Sequence, residues 1–181
     1  MVAGAGTDAF CSGADPKDIE ALVDRDEGRR RAPLRFSDLE PGKLRIAAVE
    51  GWCIAGGIEL ACWCDFTIAD DVATFAASSR RWGVPWVDGG TQRMTRRVGV
   101  GNALYLLETG EEIDAHRALA MGLVQEVVPT GGAVDRALAI ADRTTGYPQT
   151  SRGPTVSPFW QRRAARWKKG WPPRRCPAGP R

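Results

Sequence analysis

The chain has 181 residues, 43% hydrophobic and 26% charged, with 25 Lys or Arg against 22 Asp or Glu. That length fits one domain with a sizeable core, and no run of about 18 apolar residues is present to form a membrane-spanning helix. The charge is uneven: residues 151–181 hold nine basic and no acidic residues, so residues 1–150 are left mildly acidic and the whole basic surplus sits in the tail.

Residues 1–7 (MVAGAGT) predict the end of a strand running into a Gly-rich turn. They lack the basic start and long apolar stretch of a signal peptide. AFCSGADPKDIEAL follows, with small residues for a tight turn and a helix expected from Pro16, a residue suited to a first helical turn. Residues 24–32 are charged without an apolar face and read as a solvated loop or frayed helix end. Residues 45–49 (RIAAV) read as a short buried strand. In WCIAGGIELACWCD two glycines open a segment of good helix formers, as in a turn feeding a helix N-terminus. Phe66 to Ala69 and Ala73 to Ala76 predict two short strands with Asp70 and Asp71 at the bend.

Gly89, Gly90 and Thr91 open a further helix, with Thr91 expected as its cap. Residues 102–107 and 114–121 carry apolar residues at helical spacing. Residues 123–128 form a strand stopped by Pro129, and residues 134–144 an amphipathic helix. Strands alternate with helices, so the expected class is α/β, without internal repeats. After Thr150 the text turns rich in Pro, Trp and Arg, with no sustained period, and is expected to be a disordered or poorly packed tail over 151–181. Five cysteines (Cys11, Cys53, Cys62, Cys64 and Cys176) form no Cys-x-x-Cys pair and accompany one histidine, His116. They read as free thiols of a reducing cytoplasm, with no zinc or other metal site expected.

Three stretches carry a family likeness: AFCSGAD at 9–15, IAAVEGWCIAGGIELACWCDFTIAD at 46–70, and RRWGVPWVDGGTQRMTRRVG at 80–99, continued by IDAHRALAMGLVQEVVP at 113–129. In this order and spacing they resemble the crotonase (enoyl-CoA hydratase/isomerase) superfamily over residues 1–150. The resemblance implies a ββα spiral core, an acyl-CoA thioester as substrate, no separate cofactor, and a homo-oligomer, trimer or hexamer. It implies further strands and a helix ahead of this start, hence a core incomplete at its N-terminal side. The tail does not resemble the family's closing helical segment and would fit a shifted reading frame.

A thioester carbonyl accepts negative charge when a proton leaves, or water adds, next door. Backbone N–H groups aimed at that oxygen stabilise it, and only small residues let the substrate approach so closely. By resemblance the donors are the N–H groups of Ala14 and Gly56, in the turns Ser12-Gly13-Ala14 and Ala55-Gly56-Gly57. The other reading is two ordinary glycine turns. Glu59 follows Gly56 by three residues, one helical turn on, among apolar neighbours that would raise its pKa. In the family's hydratases this glutamate activates the added water; otherwise it is a first-turn glutamate favoured by the helix dipole.

The family's second glutamate falls on Ser79, which is no strong acid. Asp88 is the nearest acidic candidate, its alternative role being a helix cap. Ala14, Asp15 and Pro16 match the adenine-side loop, and Lys17, Lys43 or Arg45 could face phosphates, although any single one of them reads first as a solvated surface charge. Gly13 and Gly57 complete the expected substrate contacts, with Trp86 in the acyl pocket or core. Trp82 is expected in the core, and His116 as structural or exposed. The function these residues imply is hydration of a 2-enoyl-CoA. The alternatives are isomerase, decarboxylase or hydrolase chemistry of the same superfamily, or a non-catalytic fragment. A nucleic-acid-binding tail has the composition for it, nine basic residues among Trp160, Trp167 and Trp171, but no accompanying binding fold.

Overall fold

A computed structural model describes residues 1–15, 17, 34, 36–39 and 42–151. The expectations for Pro16, for the loop at 24–32 and for residues 152–181 lie outside the described residues. The chain divides into two units, 1–141 and 142–181. In the second, a 3-10 turn spans Gln149–Ser151, and the Gln149 side-chain amide donates to the Tyr147 carbonyl at 2.7 Å.

The first unit is α/β, as expected. Strands β1 (Val2–Ala3), β3 (Ile46–Val49), β5 (Phe66–Asp70) and β8 (Glu126–Val128) form one sheet, parallel throughout, in the order β1-β3-β5-β8. Strands β2 (Ala9–Cys11), β4 (Trp52–Ile54), β6 (Thr74–Ala76) and β7 (Glu112–Asp114) form the second, in that order. Its pairs are parallel except β6 with β7, which is antiparallel. Helices α1 (Gly56–Trp63), α2 (Gly90–Thr109), α3 (Ala115–Met121) and α4 (Ala133–Thr145) complete the fold.

The run IAAV becomes a strand buried at every position because both of its faces are covered. Ala47 and Val49 face the main core, with Phe10, Cys53, Phe75 and α1, while Ile46 and Ala48 pack with Ala133 and Ala137 of α4. The same two-sided cover explains α1, whose Gly57, Ile58, Glu59, Ala61, Cys62 and Trp63 are all buried. Chain entry into α1 is unusual: Ala55 takes φ 50° and ψ −116°, a conformation that favours glycine.

Several expectations are corrected. Thr91 is not a cap: Gly89, at φ 84°, precedes a helix whose first residue is Gly90. At Gly99, where φ is 77° and ψ 166°, α2 is divided into two helical stretches, one opening at Gly90 and one containing residues 102–107. Trp82 is 79% exposed, so it is no core residue. Arg45 is committed elsewhere: its guanidinium pairs with Asp65 at 2.8 Å and lies 4.5 Å above the Trp63 ring, so it is not free to face a phosphate. His116 is exposed. Cys53, Cys62 and Cys64 are buried free thiols. No helix among the described residues is long and apolar enough to cross a membrane.

Candidate active site

Two turns far apart in sequence meet. Gly13 has φ +90°, and a Cβ built on it would stand 2.8 Å from the Gly56 nitrogen. A Cβ on Gly56 would stand 3.0 Å from the Gly13 Cα and 3.8 Å from the Ala14 nitrogen. Glycine at both positions is what permits the approach. Register brings it about: β2 and β4 pair in parallel, with Cys11 opposite Cys53, so the segments after each strand emerge side by side. Gly57 closes the packing, because a Cβ there would overlap the Cys11 carbonyl. Among the described residues, neither the Ala14 nor the Gly56 amide donates a hydrogen bond. Both residues are half-buried.

Glu59 lies one turn into α1 and is 3% exposed. Its Oε1 accepts from the Gly90 amide at 2.8 Å and the Asp88 amide at 3.1 Å, so the carboxylate closes the start of α2. Oε2 accepts nothing among the described residues. Burial pushes the Glu59 pKa from 4.5 up to about 7; the Asp88 charge adds to this, while the two amides and Arg93 oppose it. Such a carboxyl can take up or release a proton near neutrality. Gly90 must be glycine for this placement, since a Cβ there would overlap Glu59 Cγ and stand 2.6 Å from Trp86 Cε3.

The other site residues sort as follows. Asp88 is 2% exposed and both of its carboxylate oxygens accept from the Leu34 amide, at 3.2 and 3.5 Å. Its backbone carbonyl accepts from the Arg93 guanidinium at 2.5 Å. Its side chain does not cap α2, which corrects that alternative. Ser79 is buried, and its Oγ accepts from the Trp86 indole N–H at 2.6 Å. Asp15 and Lys17 are exposed, and the Lys17 amide donates to Asp15 Oδ1 at 2.9 Å. Lys43 is exposed.

The sequence reading missed three participants. Leu34, which touches both Gly56 and Asp88, sits in a stretch without any motif. Ala55 carries no sign of its positive φ, being an alanine. Gly90 did carry a signal, two glycines before a helix, but its partner Glu59 is 31 residues away.

The fold is the crotonase fold, and the chain belongs to the enoyl-CoA hydratase/isomerase family, which matches residues 1–152. It is 36% identical over 144 residues to a probable mitochondrial enoyl-CoA hydratase of Dictyostelium discoideum, over 78% of this chain and 51% of that protein. It is 37% identical over 149 residues to the short-chain-enoyl-CoA hydratase of Clostridium acetobutylicum, over 79% and 56%. Among solved structures, an enoyl-CoA hydratase from Mycobacterium tuberculosis H37Rv superposes with a TM-score of 0.78 at 28% identity, over 93% of this chain and 70% of that one. The chain spans about half the length of the curated relatives it matches.

Proposed function

We propose that this chain carries the catalytic centre of an enoyl-CoA hydratase-like lyase of the cytoplasm, adding water across the double bond of a 2-enoyl-CoA. The observation that carries this reading is the pair of unspent amides at Ala14 and Gly56 beside the buried Glu59. The thioester oxygen is received by the two N–H groups, where the charge of the enolate accumulates. Glu59 Oε2 takes a proton from water as the oxygen attacks the β-carbon. The α-carbon must then be protonated. Asp88 has both oxygens turned to Leu34, whereas Glu59 has just gained a proton, so Glu59 returns it. Gly13, Gly57 and Trp86 shape the acyl side, while Asp15 and Lys17 form the coenzyme A side. Neither metal nor separate cofactor enters these steps, and the active form is a homo-oligomer.

One observation favours a second reading. Ser79 stands where a second carboxylate is expected, and its Oγ is engaged by Trp86. One carboxylate suffices to move a proton between the α- and γ-carbons, which is double-bond isomerisation of an enoyl-CoA. Incubation with crotonyl-CoA and with 3-hexenoyl-CoA separates the two. Loss of the conjugated-thioester absorbance on crotonyl-CoA supports hydration; its appearance on 3-hexenoyl-CoA alone supports isomerisation. A folded protein that does neither, and binds no thioester, refutes both.

A further inference from the structure

We infer that Trp86 is the residue that limits acyl-chain length, and that the substrates are short straight-chain acyl thioesters. This rests on the reading of the site as an acyl-CoA site. The atoms of Trp86 and Glu59 meet over Gly90: a Cβ built there would overlap Glu59 Cγ and stand 2.6 and 2.8 Å from Cε3 and Cζ3 of the indole. The ring therefore lies close to the Glu59 side chain. It is also held in place, because its N–H donates to Ser79 Oγ at 2.6 Å and Ser79 is itself buried. Trp86 is partly buried and packs against the main core.

The order of groups along the site then decides what fits. With the thioester oxygen on the Ala14 and Gly56 amides, the reacting carbons lie at Glu59, one helical turn on. The carbons beyond them run into the indole. A leucine or methionine in that position could change rotamer to admit a longer chain. An indole hydrogen-bonded at its far edge cannot turn aside without stranding the buried Ser79 hydroxyl and its own N–H.

The test is calorimetric binding of butyryl-CoA and octanoyl-CoA, with free coenzyme A as reference, so that no turnover is needed. The parent is expected to prefer butyryl-CoA. Trp86→Ala should shift the octanoyl-to-butyryl affinity ratio by about tenfold or more toward the longer chain, since single methylenes in an apolar pocket already discriminate by that much. Trp86→Phe keeps a ring while removing the N–H, and should shift the ratio less. Ser79→Ala frees the ring and should shift it in the same direction. Should Trp86→Ala fail to fold, Trp86→Leu and Ser79→Ala carry the test. An unchanged ratio in the folded variants, or a parent that prefers octanoyl-CoA, overturns this inference and leaves the acyl-CoA reading standing. A parent that binds neither thioester better than free coenzyme A overturns both.

Discussion

Glu50 and Glu59 are both buried, and each accepts hydrogen bonds from backbone amides at the start of a helix far along the chain. Glu50 Oε1 takes those of Ala133 and Val134, at 3.2 and 3.4 Å, at the head of α4. Glu59 Oε1 takes those of Asp88 and Gly90 at the head of α2. What surrounds them differs. Near Glu50, Thr130 donates to Asp71 at 2.6 Å and the Gly131 amide to Asp70 Oδ2 at 3.3 Å, while the buried Asp70 Oδ1 accepts nothing among the described residues. Beside Glu59, two amides have no partner among the described residues, and Oε2 accepts nothing there. A buried carboxylate at a helix start is thus a structural device in either place. What differs is the kind of group left unspent: beside Glu59 two backbone donors that an anionic oxygen could use, near Glu50 an acceptor, Asp70 Oδ1.

The sharpest way to break this comparison is Glu59→Gln. The amide keeps an oxygen for the Asp88 and Gly90 N–H groups but cannot act as a base. Activity on a 2-enoyl-CoA should fall about 10²–10⁴-fold while thioester binding persists. An unchanged rate would show that Glu59 is as structural as Glu50.

The same variant has a stability signature. The Glu59 pKa is about 7 in the folded protein against an ordinary 4.5, so the burden of ionising it is absent below pH 4.5. It builds as pH rises through 7, where it costs about 3 kcal/mol. Glu59→Gln should therefore melt higher than the parent at pH 8 and level with it near pH 4.5. Parallel melting curves across that range would remove the raised pKa.

Gly57→Ala asks whether the site depends on its tight backbone. The new Cβ overlaps the Cys11 carbonyl, forcing β2 away from α1. A stability loss of about 2–3 kcal/mol is expected. Weakened acyl-CoA binding should accompany it, because the Gly13 and Gly56 turns separate; chemical denaturation with calorimetry measures both. Glu50→Ala has the smallest effect. It leaves two α4 amides without their acceptor and should cost about 1–2 kcal/mol, with activity per folded molecule unchanged. Lost activity at full stability would place Glu50 in the chemistry instead.

Long apolar or strongly periodic segments were legible in the sequence. RIAAV is a strand, GGIELACW a helix that carries Glu59 one turn after Gly56, and residues 134–144 fall within α4. The strands AFC, WCI and EID were not, because three residues show no period and owe their shape to pairing partners. The meeting of Gly13 with Gly56 was implied by resemblance and by glycine content. The cap that Glu59 supplies to α2 was not, since nothing at residue 59 announces Gly90. Trp82 and Arg45 were misjudged for a shared reason. Residue type suggests burial for the one and a phosphate or a solvated surface for the other, but only the fold leaves that tryptophan 79% exposed and sets that arginine on Asp65 and Trp63.

The head of α2 is wired to the proton on Glu59. Each arrival or departure of that proton changes the acceptor seen by the Asp88 and Gly90 amides, and by nothing on the exposed surface around Glu111. The nitrogen-15 resonances of those two amides therefore form a built-in electrode. Their shifts should trace one titration curve centred near pH 7, and under turnover they should report the fraction of molecules holding the proton.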